Sequence, residues 1–188
     1  MSTGYKITDQ EALHYLTFQV VRWIDVFTRK KYKDIIIENL DYCQKNKSLE
    51  IYGYVIMTNH IHLLVRCNDN KLSDTIRDFK SYTSKKLLEE IDHVNESRRD
   101  WMLNIFSFEA KKRKCNSKYQ LWTHENHAEL IYSNKFIWQK LDYIHNNPVR
   151  AGFVFNPEDY IYSSARNYAG LDSLININLV SMPLKTVK

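Results

Sequence analysis

The sequence predicts an α+β fold, a ferredoxin-like or RRM-like antiparallel sheet with helices packed on one face and a tyrosine on a C-terminal helix. Three observations predict it. Two stretches rich in aromatic and β-branched residues, Leu49 to Thr58 and His60 to Cys67, follow each other across a tight Thr58-Asn59 junction and read as paired strands. A third such stretch, "HYLTFQVVRWIDVF" from His14 to Phe27, comes before them, separated by a segment of helical periodicity. Strand–helix–strand–strand is the first half of that layout.

Each element follows from local pattern. Residues 1–12 are polar and read as loose. After the first strand, Thr28 is a plausible N-cap, and Tyr32, Ile35, Ile36, Leu40 and Cys43 recur at helical spacing. Beyond the third strand, Leu72, Ile76, Phe79, Thr83 and Leu87 mark an amphipathic helix running to about Ile91. Residues 94–114 read as helical, with Trp101, Ile105 and Phe108 on one face and Lys111-Lys112-Arg113-Lys114 at the end. Tyr119 to Ser133 reads as a fourth strand with a turn. A last helix starts after Ser133, carries Pro148 near its end and stops before Gly152. Residues 1–170 form one domain in this reading, and 171–188 a tail.

Composition sets broad bounds. A chain of 188 residues buries roughly 70% of its unfolded surface, enough for one real core. Apolar residues at 44% and charged residues at 26% are ordinary for a globular protein, and 4 Gly with 3 Pro argue against a turn-rich sandwich. No apolar run approaches a membrane span, and the N-terminal residues lack a signal-type apolar region, so the expectation is a cytoplasmic protein with no membrane partner. Cys43, Cys67 and Cys115 form no C-x-x-C pair, which fits a reducing compartment. The net charge of +5 is compatible with a polyanionic partner.

His60 and His62 carry the first chemical signal. Strand side chains alternate, so both imidazoles share one face while Ile61, Leu63 and Val65 point to the other. Two imidazoles so close are a natural start for a metal site, although such a pair can also be two polar-face residues. Asn59 sits at the junction before them, where Asn orients a turn through its own backbone bonds. The second signal is "LDYIHNNPVRAGFV", from Leu141 to Val154. Tyr143 and Asn147 are i and i+4 on a helix and share a face, while Ile137, Leu141 and Ile144 can pack that helix on the sheet. Taken alone, Tyr143 also fits a core tyrosine and Asn147 a cap before Pro148. His145 lies roughly 200° around the helix from Tyr143 and should point away.

The segment "GYVIMTNHIHLLV" resembles the His-hydrophobic-His (HUH) signature of single-tyrosine transposases, including the REP-associated tyrosine transposases. Those proteins usually carry Pro before Asn-His; this chain has Thr58, which loosens the turn and leaves the imidazoles untouched. "LDYIHNNPVRAGFV" resembles the Tyr-Ile-x-x-Asn-Pro-Val segment of the same family. "LWTHENHAELI" and "YIYSSARNY" resemble the segments on either side of it, so the similarity runs from about His14 to Tyr168.

The resemblance implies an enzyme that cleaves and rejoins single-stranded DNA through a 5′-phosphotyrosine link, with hairpins of palindromic repeats as substrate. It implies Tyr143 as nucleophile, with His60 and His62 holding Mg²⁺ or Mn²⁺. Asn147 is the third metal ligand in this reading, or failing that Gln139. Relatives include monomers and homodimers. His124 and His127 could reach the substrate. Phosphate contacts could come from Arg29, Lys30, Lys31 and Lys33, from Lys80, Lys85 and Lys86, or from Lys111 to Lys114, and base stacking from Trp122 or Trp138. Two other classes stay open: a nucleic-acid-binding module without chemistry, and a metal-dependent hydrolytic nuclease.

Overall fold

A computed structural model of the chain describes residues 7–93, 95–114 and 117–181. Along the chain run β1 (His14–Gln19), α1 (Lys30–Asn46), β2 (Leu49–Ile56), β3 (His60–Cys67), α2 (Leu72–Ile91), α3 (Arg99–Lys112), β4 (Glu129–Leu130), α4 (Asn134–Arg150) and α5 (Ala165–Tyr168). The sheet order is β2-β3-β1-β4, and every neighbouring pair is antiparallel. Helix α1 carries the chain from β1 past the future place of β3, and β3 then folds back between them. This is the RRM-like arrangement that the sequence predicts.

The pleat divides the sheet into two faces. Leu16 and Phe18 of β1 and Ile61, Leu63 and Val65 of β3 are fully buried on one face. There they meet α1 and α2, whose Ile36, Leu40, Phe79 and Leu87 are buried in turn. Phe18 and Phe79 pack with ring centroids 5.7 Å apart. Each such side chain contributes about 1.5–3 kcal/mol on burial. The other face carries Tyr15, Thr17 and Gln19, paired with Leu64, His62 and His60. Helices α1 and α2 thus share one face, and the tyrosine helix α4 lies across the opposite one.

Helix α4 is held by its ends and its apolar stripe. Ser133 caps it, its Oγ accepting from Phe136 N at 3.3 Å. Leu141 and Ile144 are buried against the sheet. Gly152, at φ +73°, ends it, with Phe153 N bonded to Pro148 O and Gly152 N to Val149 O.

Several boundaries differ from the sequence reading. β1 stops at Gln19, not Phe27, because Arg22 and Trp23 turn the chain with φ of 55° each. Thr28 belongs to a short 3₁₀ turn, Val26–Thr28, and the residue flanking α1 is Arg29, which makes no side-chain cap bond. The fourth strand shrinks to Glu129–Leu130, with one isolated bridge between Val20 and Trp122. In α3, Trp101 and Phe108 do share a face, but it is the exposed one; Met102, Leu103, Phe106 and Ala110 form the buried face. The start of that predicted helix at Val94 and the residue Cys115 lie outside the described residues. The segment after Gly170 packs back on the domain: Ile175 is buried, and Asn178 N bonds Ile51 O at 2.8 Å.

Candidate active site

The strand register puts His60 opposite Gln19 and His62 opposite Thr17, so both imidazoles stand on the face that α4 covers. Their ring centroids are 4.7 Å apart. Tyr143 stands next to them, its ring nearly perpendicular to that of His62 at 5.3 Å. A cleft of about 920 Å³ opens here, lined by both histidines, Tyr143, Tyr15, Thr17, Trp23, His127, Gln139, Lys140, Asn147 and Arg150. Tyr143 as a whole residue is 39% exposed and lines the cleft.

Burial biases both imidazoles toward the neutral form. Burial lowers the pKa of His60. Burial, then the charges of His60 and Lys140, pull His62 down to about 3. A neutral imidazole has one N–H and one lone pair, and its neighbours decide which nitrogen carries which. For His60 the choice is fixed by Asn59. The Asn59 Nδ2 donates to Trp23 O at 3.3 Å and to Asp25 Oδ1 at 2.9 Å, both acceptors. Its Oδ1 therefore faces His60 Nδ1 at 2.7 Å and accepts from it. The lone pair of His60 is left on Nε2. Besides any backbone role in the turn, Asn59 is thus a side-chain bracket for the histidine.

For His62, Nδ1 lies 2.7 Å from Tyr15 Oη and 2.9 Å from Thr17 Oγ1. Its buried Nε2 has no hydrogen-bond partner among the described residues. A buried imidazole nitrogen without a partner costs free energy unless something occupies it. A divalent cation answers that need, and hydroxyls behind Nδ1 are the outer support a ligand imidazole requires. Among the described residues no third His, Cys, Asp or Glu completes a metal cluster. The amides of Asn147 and Gln139 line the same cleft and are oxygen donors there, as are the carboxylates of Glu129 and Asp142.

The remaining predicted residues divide. His127 lines the cleft, whereas His124 lies in a separate groove with Lys80, Lys85 and Lys118. His145 faces away, half-buried, with Nε2 2.9 Å from Ser164 Oγ. The first basic cluster is largely occupied: Arg29 pairs with Glu96, Lys30 with Asp34 and Lys31 with Glu90, and Lys33 lies over the Tyr162 ring. Lys86 pairs with Glu89. Lys80 bonds Thr123 O and Asn126 Oδ1. Trp122 is buried, with its indole N–H bonded to Thr83, and Trp138 packs edge-on against Tyr168. The sequence reading passed over Arg150, whose guanidinium lies 5.5 Å from the Tyr143 ring centroid. Its place one turn beyond Asn147 on the same face was the available signal. It also passed over Trp23, 58% exposed and edge-on to His60 at 5.8 Å.

Fold and site together define a class: an RRM-like α+β protein that brings a strand-borne His-hydrophobic-His pair and a helix-borne tyrosine to one cleft. Residues 13–119, more than half of the chain, match the family described as IS200-like transposases. The chain belongs to that family. The matched span includes both histidines and ends before α4. A protein of Haemophilus influenzae described as a REP-associated tyrosine transposase is 29% identical over 117 residues, covering 61% of this chain and 58% of that protein. The match thus spans little more than half the length of that relative. The solved structure of a REP-associated tyrosine transposase bound to a REP hairpin superposes with a TM-score of 0.63, covering 100% of this chain and 98% of that one. At 17% identity it shows a shared fold. Among the described residues no helix is long and apolar enough to cross a membrane.

Proposed function

We propose that this chain is a single-tyrosine DNA transposase that cuts and rejoins single-stranded DNA beside hairpins of palindromic repeats. The observation that carries the reading is the placement of the Tyr143 ring against that of His62 in a cleft that His60 also lines, with the buried His62 Nε2 left without a hydrogen-bond partner among the described residues. The Tyr143 oxygen attacks the scissile phosphorus. The Oη–P bond forms, the P–O3′ bond breaks, the phenol gives up its proton and the departing 3′-oxygen takes one up. A 3′-hydroxyl later reverses the step and regenerates the phenol, so no energy source is consumed. Mg²⁺ or Mn²⁺ held by His60, His62 and Asn147, or Gln139 in place of Asn147, would polarise the phosphate and offset charge on the leaving oxygen. Arg150 beside the phenol supplies a permanent cation for a phosphate oxygen.

The test is incubation with a single-stranded hairpin oligonucleotide bearing flanking sequence. The wild type should yield a denaturant-resistant protein–DNA adduct, silenced by EDTA and restored by Mn²⁺ or Mg²⁺. Tyr143→Phe should abolish the adduct and keep DNA affinity within about threefold, because phosphate contacts dominate binding. His62→Ala should do the same. Free cleaved ends without an adduct would instead indicate a hydrolytic nuclease, and binding without cleavage a binding module.

A further inference from the structure

We infer that Trp23 forms a nucleobase subsite that stacks the unpaired base on the 5′ side of the scissile phosphate; the inference rests on the transposase reading above. Four observations carry it. Trp23 is a cleft-lining indole that is 58% exposed, more than Tyr143 at 39%. Arg22 and Trp23 both hold φ of 55°, a conformation that non-glycine residues avoid. Such strain persists only where the surroundings enforce it, and it clusters at sites of function. Here the enforcing contacts are visible: Asn59 Nδ2 donates to Trp23 O, and Trp23 N donates to Val20 O at 3.1 Å. The same carboxamide that sets the His60 tautomer therefore also holds the Trp23 backbone, coupling the residue that carries the indole to His60.

The polarity follows from the order of the rings. Tyr143 touches His62, His62 touches His60, and His60 touches Trp23. The nucleophile and the indole stand at opposite ends of this row. A displacement at phosphorus runs in line, so the departing 3′-oxygen lies opposite the attacking phenol. With the phosphate over the imidazoles, the nucleotide that owns that oxygen falls on the Trp23 side. An exposed indole offers a sequence-tolerant stacking surface for its base. The cleaved 3′ end, which must wait for the joining step, is thereby kept in place.

Binding of the full chain to a dT12 oligonucleotide and to its abasic counterpart, both measured by fluorescence anisotropy in EDTA, tests the subsite without requiring cleavage. Trp23→Ala should weaken dT12 binding about tenfold and leave the abasic strand unchanged. Trp23→Phe should retain most of the affinity. Trp23→Gly is the structural control: glycine accepts the positive φ, so its melting temperature should equal or exceed that of the wild type while dT12 affinity falls as in Trp23→Ala. Unchanged dT12 binding in Trp23→Ala, or equal loss on both strands, overturns the subsite. On an oligonucleotide cut at a defined position, one abasic nucleotide placed just 5′ of the cut should erase the difference between wild type and Trp23→Ala. Erasure from the 3′ side overturns the polarity. Because the anisotropy measurement needs no chemistry, its failure leaves the adduct result standing, and the reverse also holds.

Discussion

The His60 imidazole has no freedom of tautomer, and the reason is a chain of side chains that begins far from the cleft. Glu96 is buried and bonded to Arg98. Arg98 Nη1 donates to Asp25 O at 2.8 Å, and the Asp25 carboxylate accepts from Asn59, which accepts from His60. If His60 holds the metal as proposed, removing the Asn59 amide should weaken metal binding without removing a ligand. Asn59→Ala is expected to lower Mn²⁺ affinity about 10–100-fold, the usual effect of losing an outer-shell partner. Calorimetric titration with Mn²⁺ checks this, and an affinity equal to the wild type would remove Asn59 from the site. The i, i+2 spacing of the histidines implies a shared face, but the pair and Tyr143 stood out as a site through the resemblance of their segments to those of single-tyrosine transposases. The bracket did not, because the acceptors of Asn59 lie 34 and 36 residues away.

At the scale of elements, the spacing between α4 and the sheet depends on a missing side chain. β2 shifts register between Ile51 and Gly53, and α4 crosses there. A Cβ on Gly53 would lie 2.7 Å from Leu141 Cδ2 and 3.6 Å from Ile144 Cδ1. Leu141 is 1% exposed and has little room to yield, so Gly53→Ala should lift the middle of α4. Tyr143 is two residues further on. The variant should lose about 1–3 kcal/mol of stability, read by urea unfolding. With Tyr143 as the proposed nucleophile, its adduct formation should slow about tenfold or more, since small displacements of a nucleophile are costly. A full rate would show that the helix height is not critical. The elements that were legible, α1, α2, α4, β2 and β3, are those whose periodicity and burial agree. β1 was read too long because "VVRWIDVF" has strand composition, yet Asn59 and the Arg22–Glu109 pair at 2.6 Å bend it away. The apolar spacing of Trp101 and Phe108 pointed to the wrong side of α3, because both of those aromatics stay in solvent while Met102 and Phe106 are drawn into the core. The segment from Tyr119 to Ala128 follows β1 by single bonds, such as Thr123 N to Gln19 O and Thr17 N to Asn126 O, which no periodicity announces.

At the scale of the whole molecule, acid should be the weak side of stability. Burial pushes the Glu96 carboxyl up, but bonds from Tyr32 and from the Arg98 backbone and side chain outweigh it and hold the carboxyl at about 2, below its ordinary 4.5. A depressed carboxyl gives its full stabilisation above pH 4.5 and loses it as pH falls toward 2, a difference of about 3 kcal/mol. Urea unfolding followed across that range should show the loss in the wild type and a flatter limb in Glu96→Gln. The closing segment of the chain has a separate consequence. β2 is an edge strand, and the chain itself engages several of its outward groups: Ile56 N by Tyr162 O, Tyr54 O by Ser164 N, Tyr52 O by Tyr168 Oη and Ile51 O by Asn178 N. The opposite border is β4, only two residues long. A bare edge is a template for another strand, so this strap works as a selvedge that stops the fabric from being extended. Truncation after Gly170 would unpick its outer stitches at Ile51. Sedimentation should then reveal concentration-dependent self-association at protein levels where the untrimmed chain shows none.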